Sequence, residues 1–468
     1  MPQADGIARP RVIVAGGGVA ALESLLALHE LLGRDVRLVL LAPGSEFLNR
    51  PASVAEPFGL GGPGPVCFAG LTRAYGAEHF TGTLARVEAS NRIAVTGAGD
   101  RLRYDALVVA VGARAAPAVP GALVFTGPQD VPALAGVLDA AQRGEVGAIA
   151  FAISPGVAWT LPIYELAIMT AVDLRDRGAG AVEITVITPE TTPLQLFGPA
   201  ASVALADLLR DRDIRLVGGR VATVHTDRLE LADGSSVAAD AAVVLPPQQG
   251  PWIVGLAADE HGFIPVDRNG RVPGATGVYA AGDATSFPIK QGGLATQQAD
   301  AVAATIASDI GTGPAPPPFR PVLRGLLLTG GAPLYLRAEL RGTDAVGHSV
   351  TVSGAVRGEA SSRSLWWPPG KVAGRYLAPY LATARPRALG REPLVDRAVT
   401  AQHDPAPGAN DALELVLLLA GEDARAGDLA HALYELDTAA ALGGGVLPAE
   451  AAAKRTAWRA ALAHAQQP

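Results

Sequence analysis

With 468 residues, 49% of them apolar and 18% charged, the chain has the composition of a folded protein of two or three domains of roughly 100–200 residues, not of a disordered or fibrous one. Its formal charge of -7 argues against a nucleic-acid partner, which would call for concentrated Lys and Arg. One cysteine, Cys67, excludes an intramolecular disulfide, a CxxC redox pair and a four-cysteine cluster, and the eight histidines show no ligand spacing, so no metal is expected.

The opening MPQADGIARPR has no apolar core of a secretory signal, and a cytoplasmic location is expected. Arg11–Ala15 reads as a short apolar strand, followed by a glycine turn and a helix-spaced run, AALESLLALHELLG. Val36–Leu41 predicts a second strand, and Arg101–Val111 leads into a third that ends at Gly112. A second alternating unit follows: strand Ala148–Ile153, helix Leu161–Asp176, strand Glu183–Ile187 and helix Ala200–Arg212. Val221–Val224 and Leu229–Leu231, with a turn at Asp233-Gly234, predict a small antiparallel meander before strand Ala241–Leu245. Gly277–Ala284 precedes a helix over Leu294–Ile310. Gly311–Phe319 is a Pro-rich linker and a domain boundary. Strands at Gly325–Leu328 and Leu334–Ala338 come next, then an aromatic and basic cluster, SLWWPPGKVAGRYLAPYL, and a helical tail from Asp411 with a break at Gly443–Gly445. The longest nearly uncharged stretch, Gly147–Val172, is broken by Pro155, Gly156 and Pro162, so no bilayer span is expected.

Gly16-x-Gly18-x-x-Ala21 stands between the first strand and its helix. The first glycine permits the turn, the second lets backbone approach a diphosphate, and the small third residue lets helix and strand pack closely. The N–H groups of Val19, Ala20 and Ala21 at the helix start favour phosphate. The acidic residue expected at the end of the second strand is replaced by Leu41-Ala42-Pro43, with Glu46 the nearest substitute.

Together with Phe47–Phe58 (FLNRPASVAEPF), Leu107–Pro117 (LVVAVGARAAP) and Gly277–Asp300, this motif resembles the two-dinucleotide-binding-domain flavoproteins over about Val12–Ile310. The branch it most resembles contains the sulfide:quinone oxidoreductases, flavocytochrome c sulfide dehydrogenases and type II NADH dehydrogenases. The resemblance implies an α/β protein with two Rossmann-like domains, the second inserted in the first. The first would comprise 1–124 and 243–312 and bind FAD; the second, 125–242, would be NAD(P)-binding-like. An interface domain at 313–400 and a helical tail at 401–468 would follow. It implies non-covalent FAD held at Gly16, Gly18, Val19, Ala20, Ala21, Arg50, Pro51, Leu84, Gly112, Ala113, Arg114, Gly282, Asp283, Lys290, Gln291 and Gly292. Asp283 would face the ribityl, Gly112-Ala113-Arg114 would close over the diphosphate, and Lys290 would either hold the reduced flavin anion by charge or be a solvated loop lysine.

The second domain lacks the expected nucleotide loop. Ser154-Pro155-Gly156-Val157-Ala158-Trp159 keeps one glycine of three, places a tryptophan where backbone should meet phosphate, and loses an N–H at Pro155. A standard NAD(P)H site is disfavoured, although Glu190 ends the next strand as a ribose-binding acid would. The loop resembles that of sulfide:quinone oxidoreductases, yet these use paired cysteines that this chain cannot supply. Glu165, matching a helix glutamate near the flavin in relatives, would serve as a proton relay to the flavin N5 or pair with a lysine, or else be an ordinary helix cap or ion pair. Trp366, Trp367, Lys371 and Arg375 form either a peripheral membrane contact beside a quinone pocket or an inter-domain or homodimer contact. The leading expectation is an FAD oxidoreductase passing electrons from a small-molecule or protein donor to a quinone or another acceptor. An NAD(P)H reductase with an atypical site and a flavin-binding scaffold without turnover are the alternatives.

Overall fold

Apolar runs buried on both faces make parallel sheets, and two such sheets organise the computed structural model, which describes residues 9–60, 64–316, 319–340, 355–383, 417, 436 and 448–465. The helices are α1 (Val19–Leu32), α2 (Phe68–Ala74), α3 (Val131–Gln142), α4 (Leu161–Asp176), α5 (Pro199–Arg210), α6 (Gly292–Asp309), α7 (Leu377–Thr383) and α8 (Ala449–Ala465).

The first sheet orders its parallel strands Val278–Ala280, Ala106–Val109, Arg11–Ala15, Arg37–Ala42 and Glu78–Thr81. Alternation assigns its faces. Val12 and Val14 pack under α1 and α6, while Ile13 and Ala15 pack on the opposite side with Leu84, Val87 and Tyr104. The second sheet is also parallel, ordered Leu123–Val124, Ala241–Leu245, Ala148–Ile153, Glu183–Thr188 and Ile214–Gly218. Where the chain leaves the first sheet and where it returns, Arg114–Ala115 pairs antiparallel with Gln248–Gln249 and ties the two crossings together. The expected meander is present, with Val221–Val224, Arg228–Leu231 and Ser236–Ala238 in antiparallel order.

A third sheet is antiparallel: Val322–Leu327, Leu334–Leu340 and Ala355–Ser361. Leu323, Leu326 and Leu336 share one core with Leu161, Tyr164 and Phe197 of the second unit. The approach depends on two glycines. A Cβ on Gly325 would meet the Phe197 ring at 2.7 Å, and one on Gly358 would meet the Phe197 carbonyl oxygen at 1.9 Å.

Of the expected helical tail, α8 and residues 417 and 436 are described; Leu436 and Ala451 pack with Leu417 and Trp458, and the rest of 401–468 lies outside the described residues. Part of the Pro-rich linker, 317–318, lies outside them too. Among the described residues no helix is long and apolar enough to cross a membrane.

Candidate functional site

A cavity of about 610 Å³ lies where the carboxyl ends of the first sheet face the second unit and the third sheet. Crevices at the carboxyl ends of parallel strands are where such sheets accept ligands. Its wall collects Gly16, Gly18, Val19, Ala20, Arg50, Pro51, Leu84, Gly112, Ala113, Arg114, Asp283, Lys290, Gln291, Gly292 and Glu165. Two expected positions stand behind it. Ala21 is fully buried, and Gly282, at a φ of 74°, packs so closely on Ala20 that a Cβ would approach it at 2.8 Å.

The glycine turn divides its work by position. Gly16 has a φ of 133°, and a Cβ there would strike the Ala110 carbonyl oxygen at 2.1 Å, so this glycine is required by the fold. A Cβ on Gly18 meets nothing within 4 Å, and the same holds for Gly112 at a φ of 74°. Side chains at Gly18 and Gly112 would extend into open cavity, which marks a cradle meant for something other than protein. The N-termini of α1 and α6 both open on this space, so unpaired N–H donors favour negative charge at two points.

Charge is concentrated at the α6 end. Lys290 is 7% exposed, with Nζ donating to the Thr285 carbonyl oxygen and lying 3.7 Å from the Phe263 ring centroid; it is not a solvated loop residue. Burial pushes it down to about 8, against the pull of Asp283 and Asp259. Burial raises Asp283, and Lys290 and Arg50 oppose the rise. Gln291 caps α6 by accepting from the Leu294 N–H at 2.8 Å and donates to the Arg324 carbonyl oxygen at 2.8 Å. The Gly282 N–H donates to Gln298 Oε1 at 2.7 Å, a buried support the sequence did not announce.

Across the cavity Glu165, fully buried on α4, forms an ion pair with Lys371. Glu165 Oε1 also accepts from the Leu328 N–H at 2.8 Å, and Lys371 Nζ donates to the Leu326 carbonyl oxygen at 2.9 Å. Burial raises the glutamate and lowers the lysine, and each is countered by the other. Glu165 Oε2 is sealed from solvent and accepts no hydrogen bond from any described residue. Both side chains line the cavity. This pairing corrects the expectation of a lipid contact: Lys371 points inward, and Trp366 is 3% exposed with its ring 5.2 Å from that of Tyr335. Trp367 and Arg375 are half-buried. Of this cluster, Trp366 packs in the third sheet's core, and Tyr376 and Tyr380 pack against the core beneath α1 and α6.

The loop before α4 departs from a nucleotide cradle in two ways. Trp159 lines the cavity and packs edge-on against Phe197, centroids 5.8 Å apart, so an indole occupies the approach. Glu190, which ends its strand where a ribose acid would stand, is already engaged: it accepts from Tyr164 Oη at 2.6 Å and Thr160 Oγ1 at 3.2 Å. Tyr164 is fully buried, so Tyr164→Phe is expected to lower stability by about 1–3 kcal/mol in urea unfolding. A destabilisation below about 0.5 kcal/mol would show the bond to be dispensable.

Residues 156–302 match the pyridine nucleotide-disulphide oxidoreductase family. A sulfide-quinone reductase of Aquifex aeolicus is 25% identical over 342 residues, covering 65% of this chain and 77% of the relative. The crystal structure of the Aquifex aeolicus sulfide:quinone oxidoreductase superposes with a TM-score of 0.65 at 21% identity, covering 75% of this chain and 86% of that one. A ferredoxin reductase from Rhodopseudomonas palustris, at 19% identity, gives a TM-score of 0.57 and covers 72% of this chain and 84% of that one. The chain has the two-dinucleotide-binding-domain fold of FAD oxidoreductases and is similar in it to the sulfide:quinone oxidoreductase and ferredoxin reductase structures.

Proposed function

We propose that this chain, built on the FAD-oxidoreductase fold, is an FAD-dependent enzyme that passes two electrons from a small-molecule or protein donor to a quinone or another acceptor. The carrying observation is a buried acid–base pair, Glu165 and Lys371, in the wall of the same cavity as the open glycine cradle. Gly16–Ala20 and Gly112–Arg114 would hold the diphosphate, Leu84 the adenine side, and Arg50, Pro51, Asp283 and Lys290–Gly292 the ribityl and ring. Bound FAD would supply two-electron oxidation and reduction at its ring system.

The chain's own contribution is charge and protons. The α6 N-terminus and Lys290 face the region where negative charge would grow, and a donor fixed in a low-dielectric wall needs no reorganisation to stabilise it. In the Glu165–Lys371 pair burial raises the acid and lowers the base while each charge opposes the other's shift, which sets a paired proton donor and acceptor in the cavity wall. Glu165 Oε2, buried behind the cavity wall, keeps an acceptor that no described residue uses.

The electron donor is narrowed by two features. Sulfide oxidation through paired cysteines is excluded by the single Cys67, and Trp159 with the engaged Glu190 works against a nicotinamide nucleotide. Anaerobic mixing of FAD-loaded protein with NADH, NADPH and sulfide separately, followed by absorbance near about 450 nm, tests this. Both nicotinamide nucleotides are expected to bleach the flavin slowly, and a short-chain quinone is expected to restore the colour of chemically reduced protein. Failure to retain FAD would sink the cofactor assignment, and rapid bleaching by NADH would make the enzyme a nicotinamide-dependent reductase.

A further inference from the structure

Between α1 and α6, away from the ion pair, lies a second acidic pair that the chemistry above does not use. Glu23 is fully buried on α1; Asp300 on α6 is half-buried with Oδ1 sealed from solvent, and each carboxyl group shifts the titration of the other. Glu23 Oε1 accepts from the Tyr376 N–H at 2.9 Å and Oε2 from the Leu377 N–H at 2.7 Å, at the start of α7. A Cβ on Gly374 would meet Glu23 Oε2 at 2.5 Å, so the segment can lie this close only as glycine. Thr296 Oγ1 donates to the Ala373 carbonyl oxygen at 3.2 Å from the same side. Three residues before Gly374 stands Lys371.

We propose that Glu23 and Asp300 form a proton-sharing pair that positions the 371–377 segment, and Lys371 with it, against the cavity, so that docking of the segment follows pH. For the role of Lys371 this rests on the oxidoreductase reading above; the docking itself does not.

Two carboxyl groups in contact in a dry site cannot both be ionised at low cost, and one proton held between them converts repulsion into a hydrogen bond. The N–H donors of Tyr376 and Leu377 favour charge on Glu23, so Glu23 is the first to lose its proton and Asp300 holds the one that remains. The other charged and titratable groups facing the pair are Arg375 and Tyr376 on the docked segment and Arg324 on the strand Val322–Leu327. Burial pushes Glu23 up to about 7 from 4.5 and raises Asp300 well above its usual range. When the segment lifts, both groups meet water and return towards ordinary values. The docked state therefore binds protons more tightly; the stabilisation from Glu23 is complete below pH 4.5 and is lost as pH rises through about 7.

Amide hydrogen exchange of full-length, FAD-loaded protein, read on peptides spanning 374–380 and corrected for intrinsic exchange, tests the proposal between pH 6 and 9. Protection is expected to fall from pH 6 to about 7 as Glu23 loses its proton, and to keep falling above 7 only through Asp300, by at most about tenfold per pH unit for each proton released. Asp300→Asn, whose amide donates to Glu23 at every pH, is expected to keep protection flat above pH 7. Protection of the unaltered protein that does not change with pH would overturn the proposal, without recourse to any variant. A slope in Asp300→Asn equal to that of the parent would overturn it as well. Because exchange needs neither electron donor nor acceptor, failure here leaves the flavin reading standing, and absence of turnover leaves the docking result standing.

Discussion

Gly18→Val is expected to yield folded protein that fails to hold FAD, with affinity reduced at least about a hundredfold. The two halves of this outcome come from different observations. Gly18 has ordinary extended backbone, with φ of -100° and ψ of -170°, and a Cβ there meets no atom within 4 Å, so a branched side chain enters without displacing protein. Its methyl groups project instead into the space where the N-terminus of α1 exposes its donors. A hundredfold loss corresponds to about 2.7 kcal/mol, the order expected when backbone can no longer approach a phosphate and its charge-assisted hydrogen bonds lengthen. Flavin content after gel filtration, together with the unfolding midpoint of the apoprotein, checks both halves. Gly16→Val supplies the contrast: its Cβ would collide with the Ala110 carbonyl oxygen at 2.1 Å, so that variant should fail in folding. If Gly18→Val retains flavin at parental affinity, the cavity is not a diphosphate cradle.

Glu165→Gln is expected to slow flavin turnover by about 10²–10⁴-fold while the protein still binds FAD. The amide keeps the shape and can still accept from the Leu328 N–H, so the fold around α4 stays in register. It removes the negative charge beside Lys371, a side chain 6% exposed, and a buried charge stripped of its partner costs roughly 3–5 kcal/mol unless it neutralises. Burial already lowers the Lys371 pKa, and the variant removes the attraction of Glu165 that opposes this, so the neutral amine is favoured further. The pair loses acid and base together. Lys371→Met is expected to produce a similar kinetic deficit by leaving Glu165 protonated, and the double variant should be no slower than either single one. Stopped-flow reduction and reoxidation at several pH values test the claim. Parental rates in Glu165→Gln would reduce the pair to an ordinary ion pair.

Much of the first sheet was legible because its strands are continuous apolar runs, and Gly16 and Gly282 sit at turns with positive φ that few other residues adopt. The sixteen-residue helix α4 was read correctly to its ends, since Pro162 and the apolar run fix them. Glu165 was legible as a candidate, yet its partner was not. Lys371 belongs to a cluster whose composition suits a membrane interface equally well, and composition carries no direction; only the fold turns Trp366 and Lys371 inward. Arg324 offered a faint signal as a charge inside the otherwise apolar run VLRGLL. Glu23 gave less, because a glutamate on a first helix is normally a surface residue, and the segment that buries it arrives more than three hundred positions later. Glu190 misled for the same reason: its place at a strand end is visible in the sequence, whereas its engagement by Tyr164 depends on how α4 is rotated.

The Glu165–Lys371 contact spans 206 positions of chain. At a synthesis rate of roughly 5–20 residues per second, the glutamate emerges roughly 10–40 s before the lysine that neutralises it. During that interval the second sheet, the last strand of the first sheet, α6 and the third sheet are completed in turn, so that at its end only the segment carrying Lys371 is missing. A nascent chain stalled before residue 371 would therefore hold Glu165 without its cation, and burial, no longer opposed, would favour the protonated form.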